Sequence, residues 1–258
     1  MSLTNPLFHE AIQTFWGKRT SQLNKQLAGG RVDTGQRGSV TGGGHMDGFI
    51  ISCTKKLLEA GIPQEHIFAH KLLSVLPGYY RPTKNWDLIV VDGKQRVKVI
   101  LELKSITSSY GNNANNRAEE AVGNAKDLWH AFRNGALGSN PEPWVGYLFV
   151  LGDSEKANAS VETQEPHHKV FDVFRGEGKR KVFQRGKLSN RVSIEGVSYA
   201  VRLEEMCRRL VSERLYSSAC FIVADKEAFD EENNYFEPAD DMRCQNFIDR
   251  MIHAAKAP

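Results

Sequence analysis

Apolar side chains recur at helical spacing near the beginning of the chain, and this spacing predicts an amphipathic helix that ends before Gly29. Its apolar positions are Leu7, Phe8, Ala11, Ile12, Phe15 and Trp16. A second helix is predicted over residues 48–60, followed by Gly61, with Asp47 placed to cap its first turn. Between the two helices, residues 29–44 hold seven glycines and few apolar side chains, so we expect a loop or arm there.

From Trp86 onward the pattern changes to short runs rich in β-branched residues, a composition typical of strands. The first two predicted strands cover residues 87–91 and 97–104, are joined by a turn, and are apolar on both faces. Strands of this kind are expected inside a sheet that is covered on both sides. Further strands are predicted over residues 144–151 and 219–224.

Two more amphipathic helices alternate with these strands. One is predicted over residues 117–134, after a polar loop, with Asn116 and Glu119 as a capping box at its start. The other is predicted over residues 202–216. The alternation of strands and helices predicts an α/β domain around a mixed central β-sheet flanked by helices. The apolar faces consist of Ala118, Ala121, Val122, Ala125, Leu128, Trp129 and Phe132 in one helix, and Leu203, Met206, Cys207, Leu210 and Leu215 in the other.

The overall charge permits a nucleic-acid partner without requiring one. The formal net charge is +3, so the clustering of basic residues matters more than their total. The most basic stretch, residues 175–191, has seven Lys or Arg and one Glu. It suits contact with a phosphate backbone, and a solvated loop is the alternative.

The four cysteines lie far apart in the sequence, without the spacing of metal ligands, so we expect reduced, buried thiols. The chain has no signal-peptide pattern and no apolar run as long as a membrane span. We therefore expect a soluble cytoplasmic protein with no membrane partner.

Three charged residues interrupt the apolar strands. Asp87 opens the first strand, and Glu102 and Lys104 lie two positions apart in the second, so their side chains leave the same face. Two carboxylates beside a lysine suit metal-assisted phosphodiester hydrolysis, because their oxygens can hold a hydrated divalent cation that activates water. A structural ion pair is the alternative, although charges buried in an apolar strand are unfavourable without a partner or a function.

The length of the turn between the strands decides whether the two carboxylates can meet. With a two-residue loop, Asp87 would lie opposite Lys98, and Glu102 would be about 13 Å away, too far to share a metal. With a loop over residues 93–96, Asp87 lies opposite Glu102 on the same face. The chemical hypothesis therefore requires the longer loop.

The Asp…Glu-x-Lys pattern in a strand, turn and strand followed by a helix resembles the PD-(D/E)XK nuclease superfamily. Its particular sequence resembles the XhoI family of type II restriction endonucleases over most of residues 1–220. One departure from the superfamily pattern is Trp86, which stands where a proline is usual. The matching stretches are VDTGQRGSVTGG (32–43), HMDGF (45–49), LPGYYRPTKNWDLIVVD (76–92), ELKS (102–105), YGNNANNRAEEAVGNAKDLW (110–129) and PWVGYLFVL (143–151).

This resemblance implies a restriction-endonuclease-like fold, with Asp87, Glu102 and Lys104 as the catalytic residues. It also implies Mg²⁺ as the cofactor, held by the two carboxylates, and a palindromic double-stranded DNA site of the CTCGAG type. We expect residues 1–258 to form one domain, with an N-terminal helical region (1–62) and a catalytic core (about 63–225). Because a palindrome has two-fold symmetry, we also expect a homodimer.

Two other functions stay open: a repair or junction-resolving nuclease of the same fold, and a DNA-binding module whose acidic pair is only structural. Asp47 and Glu119 could join the active site, although helix capping explains both more simply. Glu120 is expected to be solvated. The histidines lack the spacing of a metal site, so no role is assigned to His45, His66, His70, His167 or His168.

Polar side chains beyond the catalytic strand are the candidate DNA contacts. The amide-rich segment 105–117 can donate to and accept from base edges, and an ordinary turn with a helix cap is the alternative. The basic segment is expected to contribute mainly charge, and Arg37 of the glycine-rich arm could enter a groove. Most base contacts are expected from Asn112, Asn113, Asn115, Asn116 and Arg117, and phosphate contacts from Lys179, Arg180 and Lys181.

Overall fold

A computed structural model of the chain describes residues 6–28, 44–69, 72–161, 167–174, 179–184, 187–192, 197–228, 231 and 234–258, with the backbone alone for 6, 22–28, 160, 179–184 and 187–192. The helices are α1 (His9–Ala28), α2 (Asp47–Glu59), α3 (Tyr110–Arg133), α4 (Glu155–Asn158), α5 (Tyr199–Ser212) and α6 (Cys244–Lys256). The strands are β1 (Ile67–Phe68), β2 (Val75–Pro77), β3 (Thr83–Asn85), β4 (Leu88–Val91), β5 (Val97–Ile106), β6 (Trp144–Gly152), β7 (Ser160–Val161), β8 (Lys179–Gln184), β9 (Lys187–Val192), β10 (Val197–Ser198), β11 (Ser218–Ala224) and β12 (Tyr235–Phe236).

A six-stranded mixed sheet with the order β1-β4-β5-β6-β11-β12 forms the centre of the fold. Strands β5, β6 and β11 run parallel to one another, and the other neighbours are antiparallel. The long strands are buried along almost their entire length, because helices cover both faces of the sheet. The predicted α/β fold around a mixed sheet is confirmed.

Helices α3 and α5 cover one face of the sheet, and α1, α2 and α6 cover the other. Burial of each large apolar side chain contributes about 1.5–3 kcal/mol, which explains why the amphipathic helices pack there. The four cysteines are buried and free, as expected. Within the described part of the chain, no helix has both the length and the apolar character that crossing a membrane requires. Helix α6, which the sequence reading did not predict, buries Cys244, Phe247, Ile248 and Met251.

Helix α3 begins at Tyr110, so the expected polar loop before residue 117 is wrong. Strand β5 continues to Ile106, and Asn116 and Glu119 lie inside the helix, where they cannot form a capping box. Asparagine is a poor helix former, but burial of Tyr110 and Ala114 against the sheet outweighs this local preference. The expected apolar face is also wrong at one position, since Val122 is exposed.

The expected cap at Asp47 is wrong as well. The residue before α2 is Met46, which is already in a helical conformation because a 3-10 turn (Gly44–Met46) leads into the helix. No side chain caps this end, and the Asp47 carboxylate instead pairs with Lys18 Nζ at 2.6 Å.

Within the basic segment, the described residues 179–184 and 187–191 belong to the antiparallel strands β8 and β9 and are not a loop. Lys179, Arg180 and Lys181 lie on β8. The glycine-rich arm with Arg37 lies outside the described residues, apart from Gly44.

Candidate active site

The hairpin of β4 and β5 has the longer loop that the chemical hypothesis requires. Leu88 pairs with Leu101 and Val90 with Val99, followed by a bulge between Val90 and Val91. The connecting loop (92–96) is closed by a hydrogen bond of 2.9 Å from the Asp92 amide to the Arg96 carbonyl. This register aligns the residue before β4 with the middle of β5.

Asp87 and Glu102 are brought together by this register. The Asp87 amide donates to the Leu101 carbonyl at 3.1 Å, so the pairing with β5 already begins one residue before β4. The Asp87 carboxylate accepts the Leu103 amide hydrogen at 2.6 Å, which orients it beside Glu102. Glu102 is 1% exposed, whereas Asp87 is half-buried.

Both oxygens of the Glu102 carboxylate have cationic partners. Lys104 pairs with Oε1, and Lys84 Nζ lies 2.7 Å from Oε2. Asn124 of α3 donates to Oε1 at 3.1 Å. The Lys84 ammonium also lies 4.3 Å from the centre of the Trp86 ring, which holds it over the site.

The two carboxyl groups differ in protonation because their surroundings differ. Burial and the negative charge of Glu102 raise the pKa of Asp87 to about 6, although Lys104 acts in the opposite direction. Burial would also raise the pKa of Glu102, but the two neighbouring ammonium groups outweigh it and lower the pKa below its usual value. Glu102 is therefore ionised at neutral pH. Asp87 loses its proton at a pH just below neutral.

Helix α3 presents a polar stripe to this site, formed by Arg117, Glu120, Asn124 and Asp127 at spacings of three and four residues. Asp127 accepts the amide hydrogens of Tyr79 and Tyr80 at 2.9 and 2.7 Å, and Arg81 Nε lies 2.8 Å from it. Arg81 also donates to the side-chain oxygen Oδ1 of Asn124 at 2.7 Å.

These contacts fix the loop before β3 and thereby the position of Lys84. Gly78 is required in this loop, since a Cβ there would lie 2.6 Å from both the Arg81 carbonyl oxygen and the Asp127 carboxylate.

Sequence reasoning missed Lys84 and Asn124. The polar stripe on α3 could have indicated Asn124. Polar residues that recur at helical spacing beside the apolar face of a helix indicate that this side of the helix also contacts the protein. For Lys84 the sequence offers only its position three residues before Asp87. The folding of the β2–β3 hairpin over Glu102 is a long-range feature that no local pattern shows.

The other expected site residues have different surroundings. Asn112, Asn115 and Asn116 are exposed on α3, and Asn113 donates to the Ser108 carbonyl at 2.8 Å. Glu120 is exposed, as expected, and forms a surface ion pair with Arg117. Asp47 pairs with Lys18, and Glu119 is exposed.

The donor set fits a hydrated Mg²⁺ ion. Carboxylate oxygens are hard ligands, and the mutual repulsion of Asp87 and Glu102 that raises the Asp87 pKa is the interaction that a bound divalent cation would relieve. Among the described residues, no three His, Cys, Asp or Glu side chains gather into a metal cluster. Two carboxylates suffice for Mg²⁺, because this ion usually keeps several of its waters.

Similarity to known proteins identifies the family of the chain. The model of the restriction endonuclease XhoI family matches residues 25–191 and 184–236. The chain belongs to this family. The type II restriction enzyme BstVI of Geobacillus stearothermophilus is 39% identical over 231 residues, which are 88% of this chain and 92% of that protein.

Two further members are similar to the chain over shorter stretches. The type II restriction enzyme XhoI of Xanthomonas vasicola is 38% identical over 202 residues, 78% of this chain and 72% of that protein. The type II restriction enzyme AbrI of Azospirillum brasilense is 40% identical over 159 residues, 61% of this chain and 71% of that protein. No solved structure matches the chain significantly.

The raised pKa of Asp87 predicts that Asp87→Asn stabilises the metal-free protein at pH 8, by up to about 3 kcal/mol. The native carboxyl group binds its proton more tightly than the unfolded one, whose pKa is 3.8. Its contribution to stability is therefore present at low pH and is lost as the pH rises through about 6. Urea unfolding of both proteins in EDTA between pH 4 and pH 8 measures the difference, which should shrink toward pH 4.

Asp92→Asn is the matched control, since Asp92 lies in the loop of the same hairpin. Burial raises the pKa of Asp92, but hydrogen bonds from Arg96 and Lys94 outweigh it and lower this pKa to about 2. This substitution should therefore destabilise the protein at pH 8. An Asp87→Asn effect that does not change with pH would show that the carboxyl group does not titrate as described.

Proposed function

We propose that the chain is a type II restriction endonuclease that hydrolyses phosphodiester bonds of double-stranded DNA at a short palindromic site. By resemblance this site is of the CTCGAG type. The observation that supports the proposal best is the meeting of Asp87 and Glu102 beside Lys104, at a point where charges interrupt buried strands, in a chain of this family. The alternatives are a repair or junction-resolving nuclease of the same fold and a DNA-binding module. In the binding module, the acidic pair would be only structural.

The three residues have distinct tasks in this proposal. Mg²⁺, when bound, supplies a Lewis acid that lowers the pKa of its water and stabilises negative charge on the phosphate. Asp87 and Glu102 would hold it. Lys104 leaves the same face of β5 as Glu102 and places an ammonium group where it can orient the attacking water or stabilise the developing oxyanion. Lys84 and Lys104 keep Glu102 ionised while no metal is bound.

Digestion of a sequenced plasmid in Mg²⁺ tests the function directly. A site-specific endonuclease gives discrete fragments, and sequencing of their ends gives the recognition site and the cut position. Random nicking would instead indicate a repair or junction-resolving enzyme, and failure to cut would indicate a binding module.

A palindromic site predicts a homodimer with one active site for each strand. We expect about 1,000 Å² or more to be buried between the subunits. Light scattering should give twice the mass of the 29.0 kDa chain, free or on DNA. A monomer under both conditions would contradict the homodimer.

The asparagines of α3 are the proposed base contacts. Asn112, Asn115 and Asn116 are exposed and lie three and four positions apart, so they share one face of a helix that begins four residues after the catalytic strand ends. Amide side chains donate and accept together and can pair with a base edge. A helix face of this kind suits the major groove better than the loop that the sequence predicted.

Replacing one of these asparagines with Ala should weaken binding to the cognate duplex by about 1–3 kcal/mol, with little change on a scrambled duplex. Replacing Lys179, Arg180 and Lys181 together should weaken binding to both duplexes and flatten the salt dependence. The affinity of each variant is measured by binding titrations on both duplexes at two salt concentrations. Lys126→Ala of the same helix is the control. Equal losses on both duplexes from the asparagine variants would place the sequence specificity elsewhere.

A further inference from the structure

A second polar cluster lies at the carboxyl end of β5, immediately after Lys104. It is built from Arg19 of α1, His45 of the turn before α2, and the hydroxyls of Ser105 and Thr107. Arg19 donates to Thr107 Oγ1 at 2.5 Å and to Ser105 Oγ at 3.2 Å. His45 Nε2 lies 3.0 Å from the same Ser105 oxygen. Ser105 and Lys104 point to opposite faces of the strand, so this cluster is separate from the two carboxylates.

Arg19 gives the cluster a positive charge, and among the described residues no carboxylate forms an ion pair with it. The Arg117 guanidinium acts on Arg19, and the Asp47 carboxylate, which is paired with Lys18, acts on His45. The hydroxyls of Ser105 and Thr107 accept the hydrogen bonds of Arg19 but carry no charge. Arg117 itself has one carboxylate partner, Glu120, on the solvent side.

Two buried nitrogen atoms of this cluster, Nε of Arg19 and Nδ1 of His45, have no hydrogen-bond partner among the described residues. The same is true of Nε of Arg117, which approaches from the polar stripe of α3. A buried donor without an acceptor is unfavourable, and few are found in native proteins. Nε of each arginine is such a donor, whereas Nδ1 of the neutral His45 donates in only one tautomer. Two guanidinium donors from different helices, close enough for Arg117 to act on the charge of Arg19, indicate an acceptor outside the described residues.

The protonation states favour an anion as that acceptor. Burial and the nearby Arg117 lower the pKa of Arg19 to about 10, although Tyr110 acts in the opposite direction, so Arg19 remains a cation at neutral pH. Burial and the charge of Arg19 lower the pKa of His45 to about 4. His45 is therefore neutral and positions Ser105 and Arg19 without adding charge.

We propose that Arg19 and Arg117 bind a backbone phosphate of the DNA strand next to the phosphate that is cleaved. This inference rests on the proposed function, because it takes the carboxylates of β4 and β5 as the cleavage site. Successive phosphates of one strand rise by about 3.4 Å along the duplex, and Ser105 follows Lys104 directly. A neighbouring phosphodiester of the bound strand therefore lies within reach of the cluster and supplies the missing negative charge.

Arg19→Gln is the main test, because glutamine can still hydrogen-bond to the hydroxyls but lacks the charge. Affinity for cognate and scrambled duplexes should fall together, by about tenfold at low salt, and the slope of log affinity against log salt should decrease by about 1. Arg19→Lys should restore most of the affinity. Lys18→Gln is the matched control: it removes the same charge one residue away, from a lysine paired with Asp47, and should change the slope much less.

A structural role for Arg19 alone would lower the unfolding temperature of Arg19→Gln without changing the salt slope, and that result would overturn the proposal. If Arg19→Gln does not fold, Arg117→Gln carries the same expectation. A loss confined to the cognate duplex in Arg117→Gln would make Arg117 a base contact and would also overturn it. A wild-type protein that binds no DNA would instead refute the proposed function.

Inorganic phosphate separates a DNA site from a site for a free anion. Phosphate should raise the unfolding temperature of the wild type more than that of Arg19→Gln, and duplex DNA should abolish this difference by occupying the site. If phosphate stabilises only the wild type while the DNA salt slope is the same in both proteins, the cluster binds a free anion and the DNA assignment is wrong.

Discussion

The rate of Mg²⁺-dependent DNA cleavage should fall by at least about 10³-fold when Asp87 is replaced by Asn. Asparagine preserves the shape of the side chain and can still accept the Leu103 amide hydrogen, so the hairpin is retained. What is lost is one of the two negative charges that hold the cation. Because the fold survives, the loss of activity reports on the chemistry of the site.

The rate is measured by single-turnover cleavage of a plasmid or a cognate duplex at saturating enzyme. Asp92→Asn serves as control, since it neutralises a carboxylate of the same hairpin that lies in the loop and faces Arg96. Its cleavage rate should stay within a few-fold of the wild type. Ca²⁺ should support DNA binding by the wild type without cleavage, because it accepts the same ligands with looser geometry. An Asp87→Asn protein that cuts at the wild-type rate would refute the proposed metal site.

Lys104→Met should reduce cleavage by about 10²–10⁴-fold while DNA binding stays within a few-fold of the wild type. The methionine keeps the length of the side chain and removes the ammonium group that faces the reacting phosphate in the proposal. Lys84 still neutralises Glu102 from its other oxygen, so the buried carboxylate is not left without a partner. The effect should therefore appear in the cleavage step.

Lys84→Met is the informative control for this prediction. Both lysines pair with Glu102, but only Lys104 extends from the catalytic strand beside it. If Lys104 served only to balance the charge of Glu102, the two substitutions would reduce cleavage equally. Cleavage at the wild-type rate by Lys104→Met would exclude a chemical role for this lysine.

Much of the site was predictable because it is local. Glu102 and Lys104 lie two residues apart on one strand, and the period of a strand places both on the same face. Asp87 is joined to them by a single hairpin, so only one variable, the loop length, remained open. The structure resolved it through the Asp92–Arg96 loop and the register that follows.

The rest depends on contacts between segments distant in sequence. Lys84 reaches Glu102 only because the β2–β3 hairpin is held against α3 by Asp127. Asn113 and Asn116 have weak helix preference, yet they are helical because Tyr110 and Ala114 are buried beside them. Arg19 and His45 come from elements far before β5, and their approach to Ser105 has no local signature.

The sequence by itself determined the alternation of strands and helices, the apolar faces of most helices, and the two carboxylates and one lysine that interrupt buried strands. These follow from side-chain periodicity and from the free energy of burying charge, both of which act over a few residues. Only the tertiary structure decided where α3 begins, which cations neutralise Glu102, and which polar groups meet at the end of β5. These depend on how sheet and helices pack together, because burial then outweighs local preference and brings distant charges within a few ångströms.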